Sequence, residues 1–262
     1  MEILGFIVTI LIGLLVGLFG GGGSILTVPV LVYLFAIPAT LSTTYSLALV
    51  SITSLIAATP HLLQNKLSFK KILQFGIPSI IALYTVRSFV LPSLPNQISI
   101  VEFVIEKNSL MMIFFSILML LSGFYMIKQK KNNPDCIDCP YNQFALMISG
   151  LFEGIITGIV GAGGGFIIVP VLMVFGKLSL KQAVANSLFI IGVKSFIGFL
   201  GSQDIAELDI LFLLKIIGIA LVGMYFGIRL NKKLDAKLLK PIFGYFVVTM
   251  GIIISIKELI IN

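Results

Sequence analysis

Apolar residues run along this chain in long stretches separated by short polar segments. The stretches cover 4–19, 24–36, 40–62, 70–91, 109–127, 143–160, 165–176, 178–200, 209–229 and 238–256. A helix needs about 20 residues to cross the hydrocarbon core of a bilayer. Most of the stretches approach or exceed that length; 24–36 and 165–176 fall short. None alternates apolar and polar positions as a barrel strand does, and a backbone in lipid must satisfy its own hydrogen bonds, so the runs predict helices. The expected fold class is an all-α polytopic membrane protein with about 8–10 transmembrane or half-membrane helices.

Composition points the same way. Of 262 residues, 58% are hydrophobic and 11% charged, with a mean hydropathy of +1.12, whereas soluble domains carry roughly a quarter charged residues. The net charge of +7 sits in loops and at helix ends. It therefore reads as membrane topology and lipid contact, and implies no nucleic-acid partner. The first run passes into glycines without a small-residue cleavage site, so no removable signal peptide is expected.

Two segments break the apolar pattern with clustered glycines: GLFGGGGSILTVPVL, from Gly17 to Leu31, and GIVGAGGGFIIVPVL, from Gly158 to Leu172. Aligning Pro29 with Pro170, an offset of 141 positions, makes eight of sixteen residues identical between 16–31 and 157–172. The same offset carries Ser46 onto Ser187 and Ser54 onto Ser195; one further residue of slippage carries Arg87 onto Arg229. The expected organisation is a first repeat over 1–128, a linker over 129–142 and a second repeat over 143–262.

Loop charges orient the halves. The loop at 64–71 carries Lys66, Lys70 and Lys71, while its partner at 201–209 carries Asp204, Glu207 and Asp209. Glu102 and Glu106 stand with Lys107 at 92–108, against Arg229, Lys232, Lys233, Lys237 and Lys240 with Asp235 at 229–240. Basic loops favour the cytoplasm, which puts 64–71, 128–142, 177–181 and 229–240 inside and 92–108 and 201–209 outside. The repeats are then inverted in topology, with both termini outside a cytoplasmic membrane.

Inverted repeats with helices broken at matching positions are a transporter architecture, in which substrate binds near the bilayer midplane between the repeats. Half-helices beginning near 24 and 165 would present unpaired N–H groups and positive dipole ends to an anion. The alternative for such glycines is close packing at helix crossings. A soluble phosphate loop is disfavoured, because no Lys-Ser or Lys-Thr follows the glycines.

The doubled glycine motif, with ANSLFI at 185–190, resembles the TauE/SafE family of sulfite and sulfonate exporters, also called the 4-toluene sulfonate uptake permease family. The resemblance covers essentially the whole chain. It implies transport of a small anion such as sulfite, thiosulfate or an organosulfonate across the cytoplasmic membrane; no nucleotide-hydrolysing motif appears, so uphill transport is expected to draw on a coupling ion, H+ or Na+, or on a separate partner. The family motif maps onto Gly20, Gly21, Gly22, Gly23 and Ser24 in the first half, and onto Gly161, Gly163, Gly164 and Gly165 in the second. The small polar positions Thr44, Ser46, Asn186 and Ser187 join them as substrate-binding candidates. The first half departs from the pattern, with Tyr45 where the second has Asn186.

Charges inside spans need a reason. Lys194 is a candidate to neutralise the anion or to snorkel to the headgroups. Glu153 is a candidate carrier of a coupling proton, one half of a structural pair or a neutral buried acid. Lys215, Arg87 and Arg229, near span ends, read as interfacial anchors, and His61 as a boundary residue. Cys136 and Cys139 form a CxxC in the linker, which fits a plain linker feature, a redox pair or a metal site shared across a homodimer. A membrane thiol–disulfide electron carrier using this pair is the alternative function, although no cysteine lies in the spans. An intramembrane hydrolase lacks a nucleophile paired with a base. No enzyme activity or cofactor is implied.

Overall fold

The computed structural model describes residues 2–19, 22–64, 67–93, 97–100, 103–128, 141–161, 163–231 and 236–260. Helix α1 (Glu2–Phe19) leads to a 3-10 turn (Gly22–Leu26) and the half-helix α2 (Thr27–Leu34). Then come α3 (Ala39–Leu63) and α4 (Phe69–Thr85), which a π-turn (Val86–Val90) and the short α5 (Leu91–Ser93) extend. A two-stranded antiparallel hairpin, β1 (Gln97–Ile100) with β2 (Phe103–Glu106), precedes α6 (Lys107–Lys128). The second half repeats the plan with α7 (Gln143–Val160), α8 (Gly165–Val174), α9 (Leu180–Leu200), a 3-10 turn (Gln203–Glu207), α10 (Ile210–Asn231) and α11 (Ala236–Ile260). The hairpin occupies part of the segment 92–108, which the sequence pattern reads as a loop.

Among the described residues, five helical segments are long and apolar enough to cross a membrane by themselves: Ala39–Leu63, Phe69–Ser93, Gln143–Val160, Lys181–Leu200 and Ile210–Leu230. The glycine-broken segments are shorter. Helix α2 has 8 residues and α8 has 10, which makes them about 12 and 15 Å long, roughly half the hydrocarbon thickness.

These half-helices end identically. Ala36 and Lys177 adopt left-handed φ values of 53° and 52°, unusual for residues with a β-carbon. The next N–H groups, of Ile37 and Leu178, turn back to the carbonyls of Leu31 and Leu172 at 3.1 and 3.2 Å. All three pairs are related by the repeat offset. Within α8, Pro170 has no N–H to offer the Phe166 carbonyl. Ser122 Oγ on α6 donates to that carbonyl instead, at 3.1 Å.

Helix pairing shows the inversion directly. The principal partners are α1 with α10, α4 with α7, α3 with α9 and α6 with α11, so each of these eight helices packs mainly on one from the other half, while the half-helices α2 and α8 pack mainly on α3 and α9 of their own. Residues 13 and 17 of α1 lie against 220 and 224 of α10, and residues 154 and 158 of α7 against 79 and 83 of α4. Both pairs run parallel, in registers related by the repeat offset. By contrast α3 and α9 run antiparallel, Leu55 near Gly192 and Leu47 near Gly198; α6 and α11 do likewise, Ser116 bonding Ser255 and Gly123 touching Gly244 and Val248. Repeat-related helices that pair antiparallel with one another require two inverted halves.

Small residues make the parallel crossings close enough for backbone contact. A β-carbon on Gly13 would stand 1.9 Å from the Ala220 carbonyl oxygen, and one on Gly223 2.0 Å from that of Ile10. Among the described residues, the two larger buried apolar clusters lie around Phe75, Leu172 and Ile191 and around Val16, Phe115 and Phe166. Large apolar side chains such as Ile7, Leu73, Ile81, Phe152 and Leu214 are exposed, as a lipid-facing surface requires.

Candidate functional site

The second glycine break turns through three left-handed residues: Gly161, Gly163 and Gly164, at φ 69°, 66° and 77°. Gly161 caps the C-terminus of α7 and Gly164 the N-terminus of α8. The turn folds the start of α8 back onto the Glu153 face of α7. A β-carbon on Gly164 would stand 1.9 Å from Glu153 Oε1 and 2.8 Å from Lys194 Nζ. Here glycine is required by both conformation and space.

Glu153 and Lys194 form a fully buried ion pair across α7 and α9. Lys194 Nζ donates to Glu153 Oε1 and, at 3.1 Å, to Thr157 Oγ1. Ser79 Oγ on α4 donates to the other carboxylate oxygen at 2.6 Å. Thr157 Oγ1 in turn donates to the Glu153 carbonyl at 2.9 Å. Lys194 therefore does not snorkel; it points into the protein. The positive end of α8, expected to face a free anion, already faces the chain's own carboxylate, which both the dipole and the ammonium stabilise.

This cluster breaks the internal symmetry. At the repeat offset, Glu153, Thr157, Lys194 and Ser79 correspond to Ile12, Val16, Thr53 and Ala220. The same backbone thus holds an ion pair in one half and mostly apolar packing in the other.

A second polar cluster lies beyond Gly161. Arg87, in the π-turn of α4, is buried, at 2% exposure, which corrects its reading as an interfacial anchor. Its Nη1 and Nη2 donate to Thr43 Oγ1 and Thr44 Oγ1, each at 2.9 Å, so α3 draws the side chain inward. Arg229 is exposed and lies 4.4 Å from the Tyr225 ring centroid, as an anchor should. Lys215 is exposed and His61 half-buried.

Of the remaining candidates, Ser24, Thr44, Ser46, Asn186 and Ser187 are all buried. Asn186 Oδ1 accepts from the Ser68 N–H at 2.8 Å, while its Nδ2 donates to the Gln182 carbonyl at 2.6 Å. Tyr45, its counterpart, accepts from the Asp209 N–H at 2.7 Å. Since 68 and 209 are also related by the offset, two unlike side chains perform one task, each anchoring the loop before α4 or α10. Ser187 Oγ donates to the Val184 carbonyl at 2.9 Å.

Several buried hydroxyls have no hydrogen-bond partner among the described residues: Thr27, Ser46, Ser54 and Ser195. Ser195 Oγ lies 3.4 Å from where a β-carbon on Gly163 would be, so a free donor adjoins the break. Its sequence signal was the duplication with Ser54. Gly22 and Gly23 belong to the 3-10 turn, which packs against α8 and brings the two broken segments together; Gly165 is the first residue of α8. Gly20, Gly21, Cys136 and Cys139 lie outside the described residues.

Over residues 5–254 the chain matches the family described as sulfite exporter TauE/SafE. A probable membrane transporter protein of Methanocaldococcus jannaschii is 24% identical over 261 residues, covering 94% of this chain and 92% of that one. One from Xylella fastidiosa is 26% identical over 269 residues, covering 96% and 95%. The probable membrane transporter protein YdhB of Bacillus subtilis is 24% identical over 234 residues, covering 89% and 92%. No solved structure matches.

Proposed function

The chain belongs to the sulfite exporter TauE/SafE family of membrane transporters, and on that premise we propose that it is a secondary transporter of a small sulfur oxyanion or organosulfonate. The anion binds between the two glycine-broken segments, with Lys194 as its cation and Ser195 among its hydroxyl donors. One observation carries this reading: a buried ammonium and carboxylate meet against Gly164, at the positive end of a half-helix.

The coupling ion in this reading is a proton. While Glu153 is ionised, it occupies both Lys194 and the end of α8. A proton on Glu153 cancels the carboxylate charge and frees both for an incoming anion, so that anion and proton enter the site together and leave together. Hydroxyl donors complete the shell without adding charge, which lets the anion dissociate. The same reading takes 1–128 and 143–262 as the two repeats, 129–142 as a cytoplasmic linker, and both termini as external.

The test is uptake of sulfur-35-labelled sulfite and thiosulfate by proteoliposomes under an imposed proton gradient, with sulfonates and carboxylates as competitors. Wild type should accumulate a sulfur anion. Glu153→Gln should retain anion exchange but lose proton-driven accumulation. A wild type that moves no sulfur anion under either gradient direction refutes the reading, and accumulation by Glu153→Gln refutes the coupling.

A further inference from the structure

Arg87 is a buried cation that forms no ion pair among the described residues. A guanidinium stays protonated at any physiological pH, and a buried cation without a counterion is a costly arrangement. Lys194 has Glu153. Among the described residues, Arg87 bonds two neutral threonine hydroxyls, and its Nε is buried without a hydrogen-bond partner. Asp204, in the loop after α9, attracts Arg87 electrostatically without forming an ion pair with it. The two hydroxyls use only two of the five N–H donors, leaving the Nε edge, a fork that grips an oxyanion through parallel N–H bonds.

A short chain of contacts joins this site to Lys194. Lys194 donates to Thr157, whose carbonyl accepts the Gly161 N–H at 2.8 Å. A β-carbon on Gly161 would stand 2.2 Å from that of Thr43, which accepts from Arg87. The second cation thus lies beyond the Thr157–Gly161 turn from the first, displaced toward the loop 201–209. Ser88 Oγ, in the same π-turn, donates to the Gly201 carbonyl of that loop at 3.3 Å.

We propose that Arg87, held by Thr43 and Thr44, is a second anion-binding site that receives a sulfur oxyanion or sulfonate on the 201–209 side before Lys194 takes it. This inference rests on the transport reading above. The site has no mirror image: Val184 and Ala185 stand where the repeat would need Thr43 and Thr44, and Arg229 lies at the surface. Its effect is therefore confined to one face of the membrane.

Oriented proteoliposomes allow sulfur-35 sulfite uptake to be measured from each face separately for wild type, Arg87→Gln, Arg87→Lys and the double variant Thr43→Val with Thr44→Val. Loss of a charge-assisted bidentate contact should raise KM from the 201–209 face by about tenfold or more in Arg87→Gln, leaving KM from the opposite face unchanged. The lysine and valine variants should show the same one-sided rise, smaller in size. A folded Arg87→Gln with both KM values unchanged, or both raised equally, overturns the proposal. If Arg87→Gln does not fold, the other two variants decide by the same criterion. A wild type that moves no sulfite removes the transport reading and this site with it, whereas an active wild type with symmetric variants removes this site alone.

Discussion

Replacing Lys194 with methionine should destabilise the protein by about 3–5 kcal/mol, the range for removing one partner of a buried ion pair. The structure supplies the reason for so large a loss. Lys194 and Glu153 side chains are both fully buried. Without the ammonium, the carboxylate keeps the Ser79 hydroxyl at 2.6 Å and the positive end of α8. A hydrogen bond to a charged group contributes about 1.5–3 kcal/mol, and a partly buried helix end up to about 2 kcal/mol. These remaining contacts place the expected value for Lys194→Met near the lower end, about 3 kcal/mol. Glu153→Gln alone leaves an unpaired ammonium and should lose about 3–5 kcal/mol. The double variant Glu153→Gln with Lys194→Met removes both charges and leaves an amide oxygen for Ser79, so it should lie within about 1–2 kcal/mol of wild type. Reversible unfolding in mixed detergent micelles, followed by circular dichroism on all four proteins, measures the coupling. A double variant destabilised by the sum of the two single losses would show that the pair is not a pair energetically, and the argument built on it would fall.

Gly164→Ala should give little folded protein by size-exclusion chromatography, since its β-carbon would meet Glu153 Oε1 at 1.9 Å from a backbone at φ +77°. Asn186→Ala and Tyr45→Phe each remove a loop anchor, leaving the Ser68 or Asp209 N–H without its acceptor or with a weakened one. Each should lose about 1–3 kcal/mol in the same unfolding assay, and a loss confined to one of them would contradict their structural equivalence. Gly223→Leu should disrupt the α1–α10 crossing and abolish monodisperse protein, because even a β-carbon there would stand 2.0 Å from a backbone oxygen. Gly218→Ala, on the same helix with nothing within 4 Å, should be neutral or stabilising by up to about 1 kcal/mol. Ser195→Ala, which removes a hydroxyl that has no partner among the described residues, should leave stability unchanged while raising the KM for the anion.

The sequence alone determined the helices and their broad arrangement, though not the β1–β2 hairpin. Helices follow from apolar runs because lipid offers the backbone no hydrogen bonds, so the preference is local and written in consecutive residues. The inversion was legible because two local signals, the repeat offset and the sign of each loop, agree; the antiparallel pairing of α3 with α9 and of α6 with α11 bears it out. Glycine clusters marked the breaks because few other residues tolerate left-handed turns beside a packed backbone.

What only the tertiary structure decided was which polar groups meet. Glu153 finds Lys194 across 41 residues and Ser79 across 74, and no local pattern encodes such a pairing. Arg87 looked like an anchor because position along a span reports depth alone. Its direction depends on a π-turn in α4 and on two threonines 43 and 44 residues away. Tyr45 and Asn186 looked like a lapse of symmetry until their backbone partners showed them doing the same work. Depth, periodicity and topology are properties of one segment at a time. The charges that would move an anion are properties of contacts between segments, and the fold creates those contacts.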